Sequence, residues 1–167
     1  MLILFTALGL AAPPVDGTFQ PSISQAEVQT RLEAAAQEAS EQFNWLIRGV
    51  ARGKIMEQAT ACSTLRVLSN ETHTGVKCDD EPHILRLNDN SEPPFDSDGV
   101  TVDSVVSISG NVLHLDWETE GGSRRTRYTF HDDDTFDLRV QVSSPQMETP
   151  MSFTIPYRRT GPTSGLQ

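Results

Sequence analysis

Hydrophobic periodicity divides the chain into a helical part and a strand-forming part. Between residues 24 and 58 apolar residues recur every three or four positions, which predicts one long amphipathic helix behind a capping box at Ser24 and Glu27. Its apolar stripe comprises Val28, Leu32, Ala35, Ala39, Phe43, Leu46 and Val50. From Cys62 onward the period changes to two, which predicts strands at 62–68, 75–79, 83–88, 100–109, 111–119, 124–131, 136–143 and 151–158.

Short polar loops predict the register of the last five strands. Gly110-Asn111 and Gly121-Gly122 fit two-residue hairpin loops, the run 132–134 closes a third hairpin, and residues 143–150 form a longer loop. The expected cross-strand pairs are Ile108–Leu113, Val106–Leu115, Trp117–Thr126, Leu115–Tyr128, Phe130–Phe136, Tyr128–Leu138, Val142–Met151, Val140–Phe153 and Leu138–Ile155. Because a slip of one residue would send every apolar side chain to the other face, the agreement across these hairpins indicates an antiparallel meander.

The predicted fold class is mainly β. We expect the meander, over residues 59–159, to close into a barrel of about eight strands, preceded by the helix over residues 24–58. The alternative is an α+β domain in which an open, curved sheet packs on the helix. Residues 160–167 are expected to form a disordered tail, and the polar run 87–99 an exposed loop.

The amino-terminal residues 1–12 have the composition of a signal-peptide core. The run MLILFTALGLAA is too short to span a bilayer and ends in small residues that suit cleavage after Ala11 or Ala12. It has no preceding Lys or Arg, so a mis-assigned start codon and a buried amino-terminal strand remain alternatives. The signal peptide is the preferred interpretation. It predicts a secreted or periplasmic protein, in which residues 13–23 form a linker.

Cys62 and Cys78 are the only cysteines. In an oxidising compartment they would pair across a plausible turn, and a loop of this size would stabilise the fold by about 3 kcal/mol. A zinc site would need two further ligands, and no CxxC or HxxxH spacing supplies them. The disulfide is therefore the preferred interpretation.

Composition and charge restrict the classes of partner that the chain is expected to bind. The 167 residues suffice for one domain, and 23 acidic against 13 basic residues give a net charge of −10. Nucleic acids and anionic membrane surfaces attract the opposite charge, so both are disfavoured as partners, and no second apolar run reaches membrane-spanning length. There is no P-loop, dinucleotide-binding or GxSxG motif, so we predict no cofactor and favour a non-enzymatic function.

The inner face of the predicted sheet is the candidate ligand site. A closed sheet of eight strands is either just filled by side chains or holds one small ligand. The residues predicted to contact a small apolar ligand are Leu115, Trp117, Tyr128, Phe130, Phe136, Phe153 and Tyr157. On the outer face, the polar group that most resembles a catalytic site consists of His114, Asp116 and His131. Cross-strand ion pairs with Arg125 and Arg127 explain its acidic positions better than acid–base chemistry does.

The carboxyl-terminal half carries a resemblance to a known family. The stretch Arg124 to His131, the turn 132–134, the strand Phe136 to Val142, Pro150 and the ending Tyr157-Arg158-Arg159 resemble lipocalin-like (calycin-type) secreted bacterial domains of unknown function, and residues 45–53 are similar to a segment that precedes their sheet. The resemblance implies a barrel more than an activity. Two departures are the absence of a Gly-x-Trp motif near Cys62 and the position of the helix, which precedes the sheet here.

Three functions follow from these features. The first is a non-enzymatic carrier of a small apolar ligand inside the sheet. The second is a secreted interaction module with a solid core, whose helix or acidic loop meets a partner. The third is a hydrolase or isomerase that uses His114, Asp116 and His131. The oligomeric state does not follow from the sequence.

Overall fold

The computed structural model describes residues 16–59, 61–69, 74–79, 95–97 and 100–162, and within these ranges the chain forms two helices and nine strands. The helices are α1 (Gln25–Ser40) and α2 (Arg48–Gln58). The strands are β1 (Gly17–Pro21), β2 (Leu65–Ser69), β3 (Thr74–Cys78), β4 (Phe95–Ser97), β5 (Val100–Ser109), β6 (Val112–Thr119), β7 (Gly122–Phe130), β8 (Thr135–Ser143) and β9 (Met151–Gly161).

The nine strands form one antiparallel sheet in the order β3-β2-β1-β9-β8-β7-β6-β5-β4. The sheet is strongly curled into a half-barrel, which is compatible with a lipocalin-like fold. The predicted closure into a barrel of about eight strands is not confirmed, and the open-sheet alternative fits. Helix α1 packs against β9 and contributes buried side chains to the core.

Phe136 on β8 is the centre of this core and is fully buried. Its ring stacks on Tyr157 at a centroid distance of 5.0 Å and contacts Phe19 at 5.0 Å, Phe130 at 5.2 Å and Tyr128 at 5.9 Å. Helix α1 begins at the predicted cap, where the Ser24 hydroxyl accepts a hydrogen bond from the main-chain N–H of Glu27. Phe136 thus joins aromatic side chains of β1, β7 and β9 within the core.

Three of the four predicted hairpin registers are confirmed. The β5–β6 pair joins Ile108 to Leu113, the β7–β8 pair joins Phe130 to Phe136, and the β8–β9 pair aligns residues 138, 140 and 142 with residues 155, 153 and 151. The β6–β7 register is wrong by two residues, because Trp117 lies opposite Arg124 and not Thr126. Since side chains alternate with a period of two, the inward and outward faces are nevertheless as predicted.

Gly122 explains the shifted β6–β7 register. The two-residue loop is Glu120-Gly121, and Gly122 already lies in β7 opposite Thr119. Its φ angle of 153° favours glycine, and a Cβ at this position would come within 2.3 Å of the carbonyl oxygen of Ser143. The second glycine of the pair is thus required by the close approach of the β8 end, not by the turn.

The predicted single helix over residues 24–58 is also wrong, because the chain turns between Ser40 and Arg48. The side-chain oxygen of Asn44 accepts a hydrogen bond of 3.2 Å from the main-chain N–H of Leu46, and this local bond competes with helix continuation. Gln42 is held by two hydrogen bonds of 2.8 Å to the main chain of Thr149. The break therefore lies between Ser40 and Arg48.

Two strands lie outside the predicted set. β1 lies within the expected linker 13–23, where only Gly17 and Phe19 point inward, so its alternation is too short to recognise. β4 lies within the expected loop 87–99. The candidate strand at 83–88 and the proposed signal peptide at 1–12 lie outside the described residues, and β9 extends into the expected tail as far as Gly161.

The Cys62–Cys78 disulfide is present, with the two Cα atoms 5.3 Å apart. It closes the base of the β2–β3 hairpin, in which Leu65 pairs with Cys78. Asp79, which follows Cys78, accepts hydrogen bonds from the main-chain N–H groups of Ser63 and Thr64. Within the described residues, neither helix is long and apolar enough to cross a membrane.

Candidate functional site

The structure brings the residues predicted to contact an apolar ligand together in one cluster on the inner face. Six of them are buried, with exposed fractions from 0 to 6%, and Trp117 is half-buried at the margin. The Tyr157 hydroxyl donates a 2.6 Å hydrogen bond to the carbonyl oxygen of Cys62. The buried members are Leu115, Tyr128, Phe130, Phe136, Phe153 and Tyr157. Their ring contacts are those of a packed core, in which these side chains fill one another's space.

The polar group on the outer face is distributed over separate contacts. Both terminal nitrogens of Arg127 donate to the Asp116 carboxylate, one of them to Oδ2 at 3.2 Å. His131 Nε2 lies 3.0 Å from Asp137 Oδ2, whereas His114 pairs with Arg127 across the β6–β7 ladder. His114, Asp116 and His131 therefore do not share a common contact in this structure.

A cleft on the same outer face is a candidate site that the sequence analysis did not single out. It has a volume of about 190 Å³ and is lined by Arg125, Arg127, Arg139 and Gln141. The β7–β8 register positions these side chains, because Arg127 lies directly opposite Arg139 and Arg125 lies opposite Gln141. Like charges that face each other across two strands repel, which costs stability in the absence of a counter-charge.

The positive charge of this cleft is only partly neutralised. Asp116 compensates Arg127, whereas Arg139 donates through Nε to the uncharged Ser152 hydroxyl at 3.3 Å. Within the described part of the chain, no carboxylate forms an ion pair with Arg125 or Arg139, and both side chains are exposed. Asp116 also lies directly opposite Arg125 in the β6–β7 ladder, so one carboxylate faces two of the three arginines. The cleft thus has two more guanidinium groups than carboxylates, on a protein of net charge −10.

His114 lies beside the cleft without adding charge to it at neutral pH. Burial lowers the pKa of this imidazole from its ordinary value of 6.5, and the neighbouring Arg127 guanidinium lowers it further, against an opposing effect of Asp116. Because a lowered pKa favours the neutral ring, the arginines supply the positive charge of this surface.

A signal for the cleft was present in the sequence. The confirmed β7–β8 register follows from the hairpin turn at 132–134, and the same register aligns Arg127 with Arg139. Arg139 of β8 lies outside the predicted β6–β7 ion pairs and adds an arginine that these pairs do not include. A directly opposed arginine pair in an acidic chain is the feature that could have identified the site.

A second unusual surface lies on the helical part. The large apolar side chains Trp45, Leu46, Ile47 and Val50, which we name the α2 patch, are 77, 67, 51 and 66% exposed. Leu46 and Val50 belong to the predicted buried stripe, and the turn before α2 directs them outward. Contiguous exposed apolar groups of this kind are typical of interaction surfaces.

No protein-family model, curated protein or solved structure matches the chain. Among the described residues, no group of three or more histidine, cysteine, aspartate or glutamate side chains has an arrangement that could hold a metal ion. The arginine cleft and the α2 patch are therefore the surfaces that bear on function.

Proposed function

We propose that the chain is a non-enzymatic binding module whose ligand carries a tetrahedral dianion, a phosphate or sulfate group, held in the arginine cleft. The observation that carries this proposal is the opposition of Arg127 and Arg139 in a cleft that Arg125 also lines. Arginine presents planar, forked N–H donors that suit such oxygens, and its charge persists at every physiological pH.

The distribution of charge supports a dianion over a monoanion. Asp116 already compensates Arg127, and two guanidinium groups remain for a ligand. A doubly charged group would relieve the repulsion between Arg127 and Arg139 and would also accept hydrogen bonds from Arg125. The neutral Gln141 amide at the same wall could donate a further hydrogen bond.

The experiment is isothermal titration of the full chain with sodium sulfate and, separately, inorganic phosphate at low ionic strength. We expect saturable binding that weakens as sodium chloride is added, because the site is exposed and therefore screened. Arg125→Gln and Arg139→Gln should each weaken binding by about tenfold or more, since a hydrogen bond to a charged group contributes about 1.5–3 kcal/mol.

A matched control is Arg158→Gln. Arg158 is exposed on the same face of the sheet but pairs with Thr135, away from the cleft. A second control should change the sulfate affinity in the opposite direction. Asp116→Asn removes the competing carboxylate and should strengthen sulfate binding by up to about fivefold. If sulfate binding is absent, or if Arg158→Gln weakens it as much as Arg139→Gln does, the cleft is not the site.

Carriage of a small apolar ligand inside the half-barrel is the second candidate, and it is the function that a lipocalin-like assignment would favour. It is supported by the half-buried position of Trp117 beside fully buried aromatic rings. Export to an oxidising compartment belongs to both proposals, and the Cys62–Cys78 disulfide supports it.

A further inference from the structure

His114, Arg127 and Arg139 form one row across the outer face of the sheet. His114 of β6 lies directly opposite Arg127 of β7, and Arg127 lies directly opposite Arg139 of β8. Side chains that face each other in an antiparallel ladder have Cβ atoms about 4.5–5.5 Å apart. The row therefore leads from the imidazole into the arginine cleft, and Arg127 is the residue that belongs to both.

Charged residues of both signs surround His114 on its own strand and on the two strands that pair with it. Those that hold register positions on this face of β5, β6 and β7 are Asp103, Asp116, Glu118, Arg125 and Arg127. The β5 residue directly opposite His114 is the uncharged Ser107, so the cation that faces the imidazole across a ladder is Arg127. Asp116 acts against it, but this carboxylate is already engaged by the Arg127 guanidinium.

An anion in the cleft changes the electrostatic field at His114. In the free protein the imidazole is uncharged at neutral pH, because burial and the Arg127 guanidinium both lower its pKa. A dianion bound between the arginines would compensate Arg127 and bring two negative charges to the end of the row, so it would favour the protonated imidazole. By the same linkage, protonation of His114 favours the bound dianion.

We propose that protonation of His114 strengthens the binding of a dianion in the arginine cleft, so that the protein holds its ligand more tightly in acid than at neutral pH. This inference rests on the proposed function and adds a control of the same site. The three guanidinium groups of the cleft stay charged at every physiological pH, whereas His114 is the member of the row whose charge changes. Since His114 is only half-buried, protons can reach it in the folded protein.

The test is isothermal titration of the full chain with sodium sulfate at about pH 7.5 and at about pH 5.5, at one low ionic strength. Sulfate keeps both of its charges over this range, whereas a phosphate group gains a proton near pH 6. We expect the affinity for sulfate to be at least about threefold higher at the lower pH, because the added charge lies within one or two ladder spacings of the dianion. Because the coupling is reciprocal, saturating sulfate should also raise the pKa of His114 when its imidazole resonances are followed by NMR.

Substitutions of histidine separate this linkage from a general effect of acid. In His114→Gln the ratio of the two sulfate affinities should fall to about one. His131→Gln is the matched control and should keep the ratio, because His131 lies against Asp137 and does not line the cleft. His114→Lys is charged at both pH values, so its affinity at about pH 7.5 should rise at least about threefold and its pH dependence should disappear.

The outcomes distinguish this inference from the proposed function. Equal affinities at the two pH values, or a ratio that persists in His114→Gln, overturn the linkage and leave the arginine cleft as a binding site. A ratio that His131→Gln lowers as much as His114→Gln does also overturns it, since the effect then comes from the total charge. Absence of sulfate binding at both pH values overturns the linkage and the proposed function together.

Discussion

The hydroxyl of Tyr157 in β9 donates its hydrogen bond of 2.6 Å to the carbonyl oxygen of Cys62, 95 residues earlier in the chain. The same ring stacks on Phe136 with an interplanar angle of 5°. One side chain therefore joins the centre of the meander to the disulfide-bonded segment before β2. This contact links two parts of the fold that are distant in sequence.

Tyr157→Phe tests that link. The substitution keeps the stacked ring but leaves the buried Cys62 carbonyl oxygen without its donor, which should lower the free energy of unfolding by about 1–3 kcal/mol in urea titrations. The control is Tyr128→Phe, because no hydrogen bond of the Tyr128 hydroxyl occurs within the described residues, and we expect less than about 1 kcal/mol there. Equal losses in the two variants would show that the hydrogen bond has no special role.

Alkaline titration should reveal both tyrosines of the chain as resistant to ionisation. Burial raises the pKa of Tyr128 to about 12 and raises the pKa of Tyr157 above its ordinary value as well. The unfolded chain releases these protons near pH 10, so the folded chain holds more protons above that pH. Stability should therefore be unaffected below about pH 10 and fall as the pH rises further.

The measurement is tyrosinate absorbance in the near ultraviolet, followed together with circular dichroism. We expect little tyrosinate in the folded protein at pH 10, and its appearance should coincide with unfolding or follow it. A tyrosinate transition at pH 10 with intact circular dichroism would contradict the burial of both rings.

Reduction of the Cys62–Cys78 disulfide should destabilise the fold by about 3 kcal/mol without erasing the meander. The disulfide constrains the β2–β3 hairpin at one side of the sheet, whereas most aromatic contacts lie on β7, β8 and β9. Hydrogen exchange after reduction should accelerate in β2 and β3 before it does in β8. Uniform acceleration across all strands would show that the hairpin is needed for the whole core.

The meander was predictable because its turns are local and its inward residues are large. Phe130, Phe136 and Leu138 alternate around a polar turn, so one register satisfies the pattern. β1 was not predictable, because its inward positions hold a glycine and a single phenylalanine, and its partners β2 and β9 are distant in sequence. The open form of the sheet was not predictable either. It depends on how α1 packs, and the position of α1 depends on the finished core.

The helix break and the arginine cleft are two further features that the hydrophobic pattern does not reveal. Leu46 and Val50 continue the apolar period of α1, so only the local bond of Asn44 and the docking of Gln42 onto Thr149 reveal the turn. The cleft is lined by side chains of two adjacent strands, β7 and β8. The predicted pairing already opposed Arg127 to Arg139, but the apolar pattern that defines the register carries no information about charge on the outer face.

Trp117 offers the test that separates the two candidate functions. It is half-buried, it lies opposite Ser104 and Arg124, and the guanidinium carbon of Arg124 is 5.6 Å from its ring centroid. Trp117→Ala should cost about 1–3 kcal/mol, which is less than the about 3–5 kcal/mol of a fully buried aromatic residue, because part of its surface is already in water.

The decisive measurement is fluorescence of Trp117 in a Trp45→Phe background, so that the emission has a single source. A sheet with a solid core predicts no saturable change on addition of lipophilic compounds, whereas sulfate binding should persist because the cleft lies on the opposite face. A saturable blue shift that Phe153→Ala alters and Arg139→Gln leaves unchanged would favour the carrier function. Loss of sulfate binding in the Trp45→Phe background would instead count against the arginine cleft as an independent site.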